Sequence, residues 1–164
     1  MDDQASGSYR RDEPAATRLD RNWNELLQEI RVLQTGSQIL AAFLIVLPFQ
    51  SRFEELDRFQ TGWYLGLVAL AMLIVALLLT PVAIHRHLFR RRVKDEMVRA
   101  ANLLLRAALM LLGLLLTGVS VFIADFVVSR AVALGTGVVL ASVMAVLLIA
   151  VPLRMGRSVG RPAG

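Results

Sequence analysis

The sequence contains no cysteine, and the residues it lacks already exclude several classes of protein. Without cysteine there can be no disulfide scaffold, thiol nucleophile or cysteine-ligated metal site. Aromatic residues make up 7% of the chain although 56% of it is hydrophobic, which indicates aliphatic helices more than a soluble core. The sequence also has no phosphate-binding loop, nucleophile elbow, metalloprotease signature or dinucleotide fingerprint. We therefore expect no enzymatic activity, no cofactor and no metal.

Long apolar runs dominate what remains. A bilayer core ~30 Å thick requires about 20 consecutive, mostly apolar residues at a helical rise of ~1.5 Å per residue. The 164 residues hold four such runs, at about 32–49, 63–84, 102–128 and 131–153, and Pro81 is predicted to mark the end of the second helix. The predicted fold is all-α, an integral membrane four-helix bundle.

The first span is preceded by an amphipathic segment. Trp23, Leu26 and Ile30 recur at helical spacing, and Asn22 is a helix-capping residue, which predicts that helix 1 begins near Asn22. Polar residues continue to Gln38, so the sequence leaves open whether residues 21–38 lie on the membrane or cross it. We expect a disordered cytoplasmic tail over 1–20, a four-span domain over 21–154 and a cytoplasmic tail over 155–164.

The distribution of basic residues predicts the orientation. Fifteen of the 18 Lys and Arg residues lie in three stretches, residues 1–31, 86–106 and 154–164. Such residues resist translocation, so these three parts are predicted to be cytoplasmic. The net charge of +5 is thereby explained without a nucleic-acid partner. Four arginines after span 2 are a predicted surface for anionic lipid headgroups: Arg86, Arg90, Arg91 and Arg92.

Four polar residues within the spans are candidates for an ion or proton pathway: Gln34, Thr35, Gln38 and Asp125. Intramembrane polar groups are costly to hold and are therefore default functional candidates. The alternative is structural, because amides and hydroxyls also form hydrogen bonds between helices. Asp125 lies about one turn from the end of its run, where it could pair with Arg130.

Small residues recur on two of the spans, where they would let helices approach closely. They are Gly62 and Gly66 in span 2, and Ala133, Gly137, Ala141 and Ala145 in span 4. The spacing places each set on one face of its helix. It leaves open whether that face packs within the bundle, against a second copy or against another membrane protein.

Two stretches resemble a small bacterial family of uncharacterised four-span membrane proteins. They are LDRNWNELLQEIRVLQTGSQILAAFLIVLPFQSRF at Leu19–Phe53 and PVAIHRHLFRRRVKDEMV at Pro81–Val98, and the resemblance extends over Leu19–Arg154. Members of the family are often labelled sodium:proton antiporter. The resemblance implies a bacterial cytoplasmic membrane and assigns no functional residue.

Two functions follow as hypotheses. The first is a membrane-embedded accessory or interaction protein, which requires the fewest sequence features because it needs only helix faces that bind neighbouring helices. A small cation transporter of the sodium:proton antiporter type is the alternative. It would need a titratable group near the bilayer midplane, and the only carboxylate inside the apolar runs is Asp125, near an end.

Overall fold

The structure is a computed structural model that describes residues 15–88 and 94–159, with side chains described for 21–84 and 98–155. Helix α1 covers Ala15–Val46, α2 Arg58–Leu88, α3 Lys94–Val127 and α4 Arg130–Ala145. Two short 3-10 turns, Leu47–Phe49 and Ser51–Glu55, join α1 to α2. After α4 the helix continues through a π-helical turn, Val146–Ala150, into α5, Val151–Val159.

The predicted all-α membrane fold is confirmed. Four helical segments are long and apolar enough to cross a bilayer: Arg21–Phe49, Arg58–Ile84, Val98–Val127 and Arg130–Met155. Each exceeds the ~20 residues that a bilayer core requires.

Two predicted helix ends are wrong. Helix α1 begins at Ala15, not near Asn22, because Ala15, Ala16 and Leu19 favour a helix and no proline or glycine lies between Ala15 and Asn22. Pro81 does not end α2 but lies inside it, almost fully buried. A membrane helix tolerates proline because neighbouring side chains and local adjustments satisfy the freed backbone groups.

Helix α3 is central, since it packs against α1, α2 and α4, and the core forms where α1, α2 and α3 meet. Ile30, Ile74 and Leu115 are each at most 2% exposed there, one from each helix. Helix α1 contributes buried residues from Ile30 to Leu44, so it lies along the bundle. Helix α4 packs along α3, and it approaches α2 only near its own start.

Candidate functional site

The start of α2 is fixed by a reciprocal pair of hydrogen bonds. The backbone N–H of Gln60 donates to Asp57 Oδ1 at 2.7 Å, and the backbone N–H of Asp57 donates to Gln60 Oε1 at 3.0 Å. This is a capping box, in which two side chains satisfy backbone donors that a helix start leaves free. It holds the Gln60 amide at the end of α2 that faces α3.

Gln60 and Arg130 converge on Asp125, near the end of α3. Gln60 Nε2 donates to Asp125 Oδ2 at 2.8 Å, and Arg130 Nε donates to Asp125 Oδ1 at 3.1 Å. Arg130 also lies 3.7 Å from Asp57 Oδ2. We call Asp57, Gln60, Asp125 and Arg130 the Asp125 cluster. Both oxygens of Asp125 thus accept from protein donors, and its side chain is 10% exposed.

Aromatic rings contact two of the arginines at this end of the bundle. The Arg130 guanidinium lies 4.8 Å from the centroid of the Phe59 ring, and that of Arg52 lies 4.9 Å from the Phe126 ring. Such contacts are attractive because the face of an aromatic ring carries negative charge density. Arg52 also pairs with Glu55, whose carboxylate raises the pKa of the Arg52 guanidinium above its ordinary value.

A small apolar cavity lies beneath the Asp125 cluster. Its volume is about 110 Å³, and α2, α3 and α4 enclose it with Trp63, Phe122 and Leu134 among its walls. Asp125 and Arg130 also border it, but they are already paired with each other. The walls present little unpaired hydrogen-bonding capacity, so the arrangement is suited to joining three helices.

A buried tyrosine joins the end of α1 to α2. In a regular helix the carbonyl of Leu44 would accept from the backbone N–H of residue 48, but that residue is Pro48, which has none. The hydroxyl of Tyr64 donates to this carbonyl at 2.9 Å. The Tyr64 ring packs edge-on against Phe53, with centroids 5.1 Å apart. Tyr64 therefore replaces a backbone donor that proline removes.

Helices α2 and α3 approach closely at Gly118. A Cβ on Gly118 would lie 2.7 Å from Leu67 Cδ2, and Trp63 Nε1 donates to the Gly118 carbonyl at 3.1 Å.

Sequence reasoning missed Gln60, Tyr64 and Gly118. The Asp57–Gln60 spacing was a detectable capping signal, and Pro48 signalled an unpaired carbonyl.

The structure does not bring the four predicted pathway residues together. Asp125 lies in the cluster at one end of the bundle, whereas Gln34, Thr35 and Gln38 lie on α1. Thr35 and Gln38 are exposed and Gln34 is half-buried. The Thr35 hydroxyl donates to the Arg31 carbonyl of its own helix at 3.0 Å. Ser37 is buried, and its hydroxyl donates to the Leu33 carbonyl of its own helix at 2.7 Å.

The six predicted packing residues divide into two groups. Ala133 is buried, and a Cβ on Gly137 would lie 2.9 Å from Val121 Cγ2, so this part of α4 packs against α3. The other four are exposed: Gly62, Gly66, Ala141 and Ala145. A Cβ on Gly62 or Gly66 would meet nothing within 4 Å. None of these four residues is therefore buried against the described part of the chain.

The predicted lipid-binding arginines, Arg86, Arg90, Arg91 and Arg92, lie outside the residues whose side chains are described. Over the described ranges, no three His, Cys, Asp or Glu side chains are grouped so that they could hold a metal ion.

A comparison with family models gives one decisive result. The model described as "Family of unknown function (DUF6328)" matches residues 12–152. The chain belongs to the DUF6328 family. Neither a search of curated proteins nor a search of solved structures finds a match. The residues matched by the DUF6328 model include every residue of the Asp125 cluster and the whole of α1.

Proposed function

We propose that this protein is a polytopic accessory or interaction protein of the bacterial cytoplasmic membrane. The observation that carries the proposal is the exposure of α4. Only 6% of the most apolar stretch of the fourth span is buried, against 28% in the second and third spans. A helix that is apolar all round and packs on one neighbour leaves most of its surface for lipid or for another membrane protein.

The exposed face of α4 has the residues that membrane helices use for association. Lipid tails are as apolar as leucine, so association depends on close packing, which small residues permit. Ala141 and Ala145 lie one turn apart and are exposed. Gly62 and Gly66 on α2 form a second exposed pair at the same spacing. These positions support binding to helices of neighbouring proteins.

The proposal includes an orientation. Both termini and the junction between α2 and α3 are cytoplasmic, because fifteen of the 18 basic residues lie within residues 1–31, 86–106 and 154–164. The arginines around residues 86–92 would then face the anionic headgroups of the inner leaflet. The Asp125 cluster would lie at the outer surface, where it holds the starts of α2 and α4 to the end of α3.

A sodium:proton antiporter is the alternative, and the low exposure of Asp125 inside the third span favours it. Exchange needs a carboxylate that cations and protons reach from both sides in turn. Asp125 lies two residues before the end of α3, and its oxygens are held by Gln60 and Arg130. These contacts support the interaction protein over the antiporter.

Site-specific crosslinking tests the proposal. The chain has no cysteine, so an Ala141→Cys variant carries a single photo-crosslinking label. In bacterial membranes we expect Ala141→Cys to give discrete crosslinked products, and Ala145→Leu in the same chain to reduce them by blocking close approach. The control is Ile123→Cys, at a residue of α3 that is 53% exposed. Equal products from both positions, or products that Ala145→Leu leaves unchanged, would contradict the proposal.

A further inference from the structure

One face of α1 is polar, exposed and regularly spaced. Intervals of four and three residues alternate along Asn24, Gln28, Arg31, Thr35, Gln38 and Ala42. All six side chains are exposed, while Ile30, Ser37 and Leu44 face the bundle. Alternation of four and three is the heptad spacing, which keeps a seam of residues facing a partner helix over several turns.

With Arg21–Phe49 crossing the bilayer as a span, Gln38 lies deep in the membrane on this face. It precedes Val46, the last residue of α1, by eight positions, which is about 12 Å of helix in a bilayer core ~30 Å thick. Within the described part of the chain the Gln38 amide makes no hydrogen bond. A polar group facing lipid at this depth has no water to bond to, so the exposed amide requires a partner from outside the chain.

The chemistry of the face fits a second copy of the same chain. Two copies insert in the same orientation, so their α1 helices are parallel, the arrangement in which a heptad seam stays in register. A glutamine amide both donates and accepts, and can therefore pair with its own counterpart. Ala42 is small enough to let the helices approach. Arg31 lies about 22 Å from Val46, near the opposite boundary, where its long side chain reaches water.

We propose that two copies of the chain associate through this face of α1, with the Gln38 amides of the two copies hydrogen-bonded to each other inside the membrane. The dimer seam is separate from the exposed face of α4. It therefore goes beyond the proposed function and leaves α4 free for other proteins.

Disulfide crosslinking in liposomes tests the seam while Gln38 is retained. Ala42→Cys places a thiol on the heptad face, and the control Phe43→Cys places one on the next residue, which is 70% exposed but off that face. With an oxidant we expect Ala42→Cys to give a disulfide-linked dimer and Phe43→Cys to stay monomeric. Equal crosslinking at both positions, or none at Ala42→Cys, would overturn the proposal.

Dilution of fluorescently labelled protein into lipid measures the strength of the pair. Gln38→Leu should raise the dimer dissociation constant about tenfold, as expected for the loss of a paired hydrogen bond between membrane helices. Ile39→Leu, beside it and off the seam, should leave the constant unchanged. A protein that is monomeric at every protein-to-lipid ratio, or a dimer indifferent to Gln38→Leu, would refute the α1 seam. Neither result depends on crosslinking from α4, so failure here is distinguishable from failure of the proposed function.

Discussion

The glycines in these helices differ in which atoms an added side chain would contact. Gly137 faces the β-branched Val121, whose stiff side chain cannot move aside easily, whereas Gly135 on the same helix has nothing within 4 Å of an added Cβ. The two positions therefore form a matched pair with the same backbone and different surroundings. Helix propensity changes equally at both, so a difference between them reports packing.

Gly137→Leu should destabilise the protein by about 1–3 kcal/mol, the usual cost of forcing a larger side chain into a packed contact. Gly135→Leu should change stability little, because its side chain would enter lipid. Unfolding by increasing denaturing detergent, followed by circular dichroism, measures both. Equal loss in the two variants would show that α4 does not pack on α3 through Gly137.

Residue spacing alone could not separate packed from exposed small residues. Gly62 and Gly66 share a face at the spacing typical of close helix contacts, yet that face is open. The close approach of α2 and α3 occurs instead at Gly118, which has no small partner one turn away. A periodic pattern identifies a face but not the neighbour it meets, because the neighbour depends on how the helices are arranged.

The junction between α1 and α2 shows how one helix completes another. Pro48 removes the N–H that would pair with the Leu44 carbonyl, and the Tyr64 hydroxyl takes its place. Because Tyr64 is only 5% exposed, water does not readily replace it. This bond links α1 to α2 directly, in addition to the short 3-10 turns between them.

Tyr64→Phe should cost about 1 kcal/mol of stability by leaving the Leu44 carbonyl without a donor. In a Pro48→Ala background the same substitution should cost less, since an alanine in place of the proline would restore a backbone N–H to that carbonyl. A double-mutant cycle on detergent unfolding measures the coupling. If Tyr64→Phe has the same effect in both backgrounds, the hydroxyl does not substitute for the missing backbone donor.

The sequence predicted the presence of the four helices more accurately than it predicted where they begin and end. The apolar runs predicted the four membrane helices correctly, because a helix that crosses a bilayer must be apolar over a length set by the bilayer thickness. The prediction that α2 ends at Pro81 was wrong, because a proline that would end a helix of a soluble protein is accommodated inside a buried membrane helix. The prediction that α1 begins near Asn22 was wrong for a different reason. A residue that can cap a helix need not do so when helix-forming residues precede it.

At the scale of the whole molecule, the helices form a three-helix core with a fourth helix attached to one side. The sequence could not predict this, because α4 is as apolar as α3, and hydropathy does not distinguish a face that packs inside the bundle from one that is exposed. Nor could it predict the Asp125 cluster, whose members come from the starts of α2 and α4 and the end of α3. The Asp125–Arg130 pairing was foreseeable from their closeness in sequence, while Gln60 enters only through folding.

Reporter fusions test the orientation of this arrangement. Fusions after residues 21, 94 and 160 should report a cytoplasmic location, and fusions after residues 56 and 130 an external one, because the basic residues flank the first group. The reverse pattern would place the Asp125 cluster on the cytoplasmic face. A cytoplasmic signal at residue 56 with an external one at 130 would contradict α1 as a membrane span.

Ion flux through the purified protein tests the central claim, that this is an interaction protein and not an exchanger. Wild-type protein and Asp125→Asn would be reconstituted in sealed liposomes with an imposed pH gradient, and sodium or potassium added while an internal dye reports pH. We expect that neither cation moves protons faster than in empty vesicles, for either protein. Cation-stimulated proton movement by the wild type that disappears in a folded Asp125→Asn variant would contradict it.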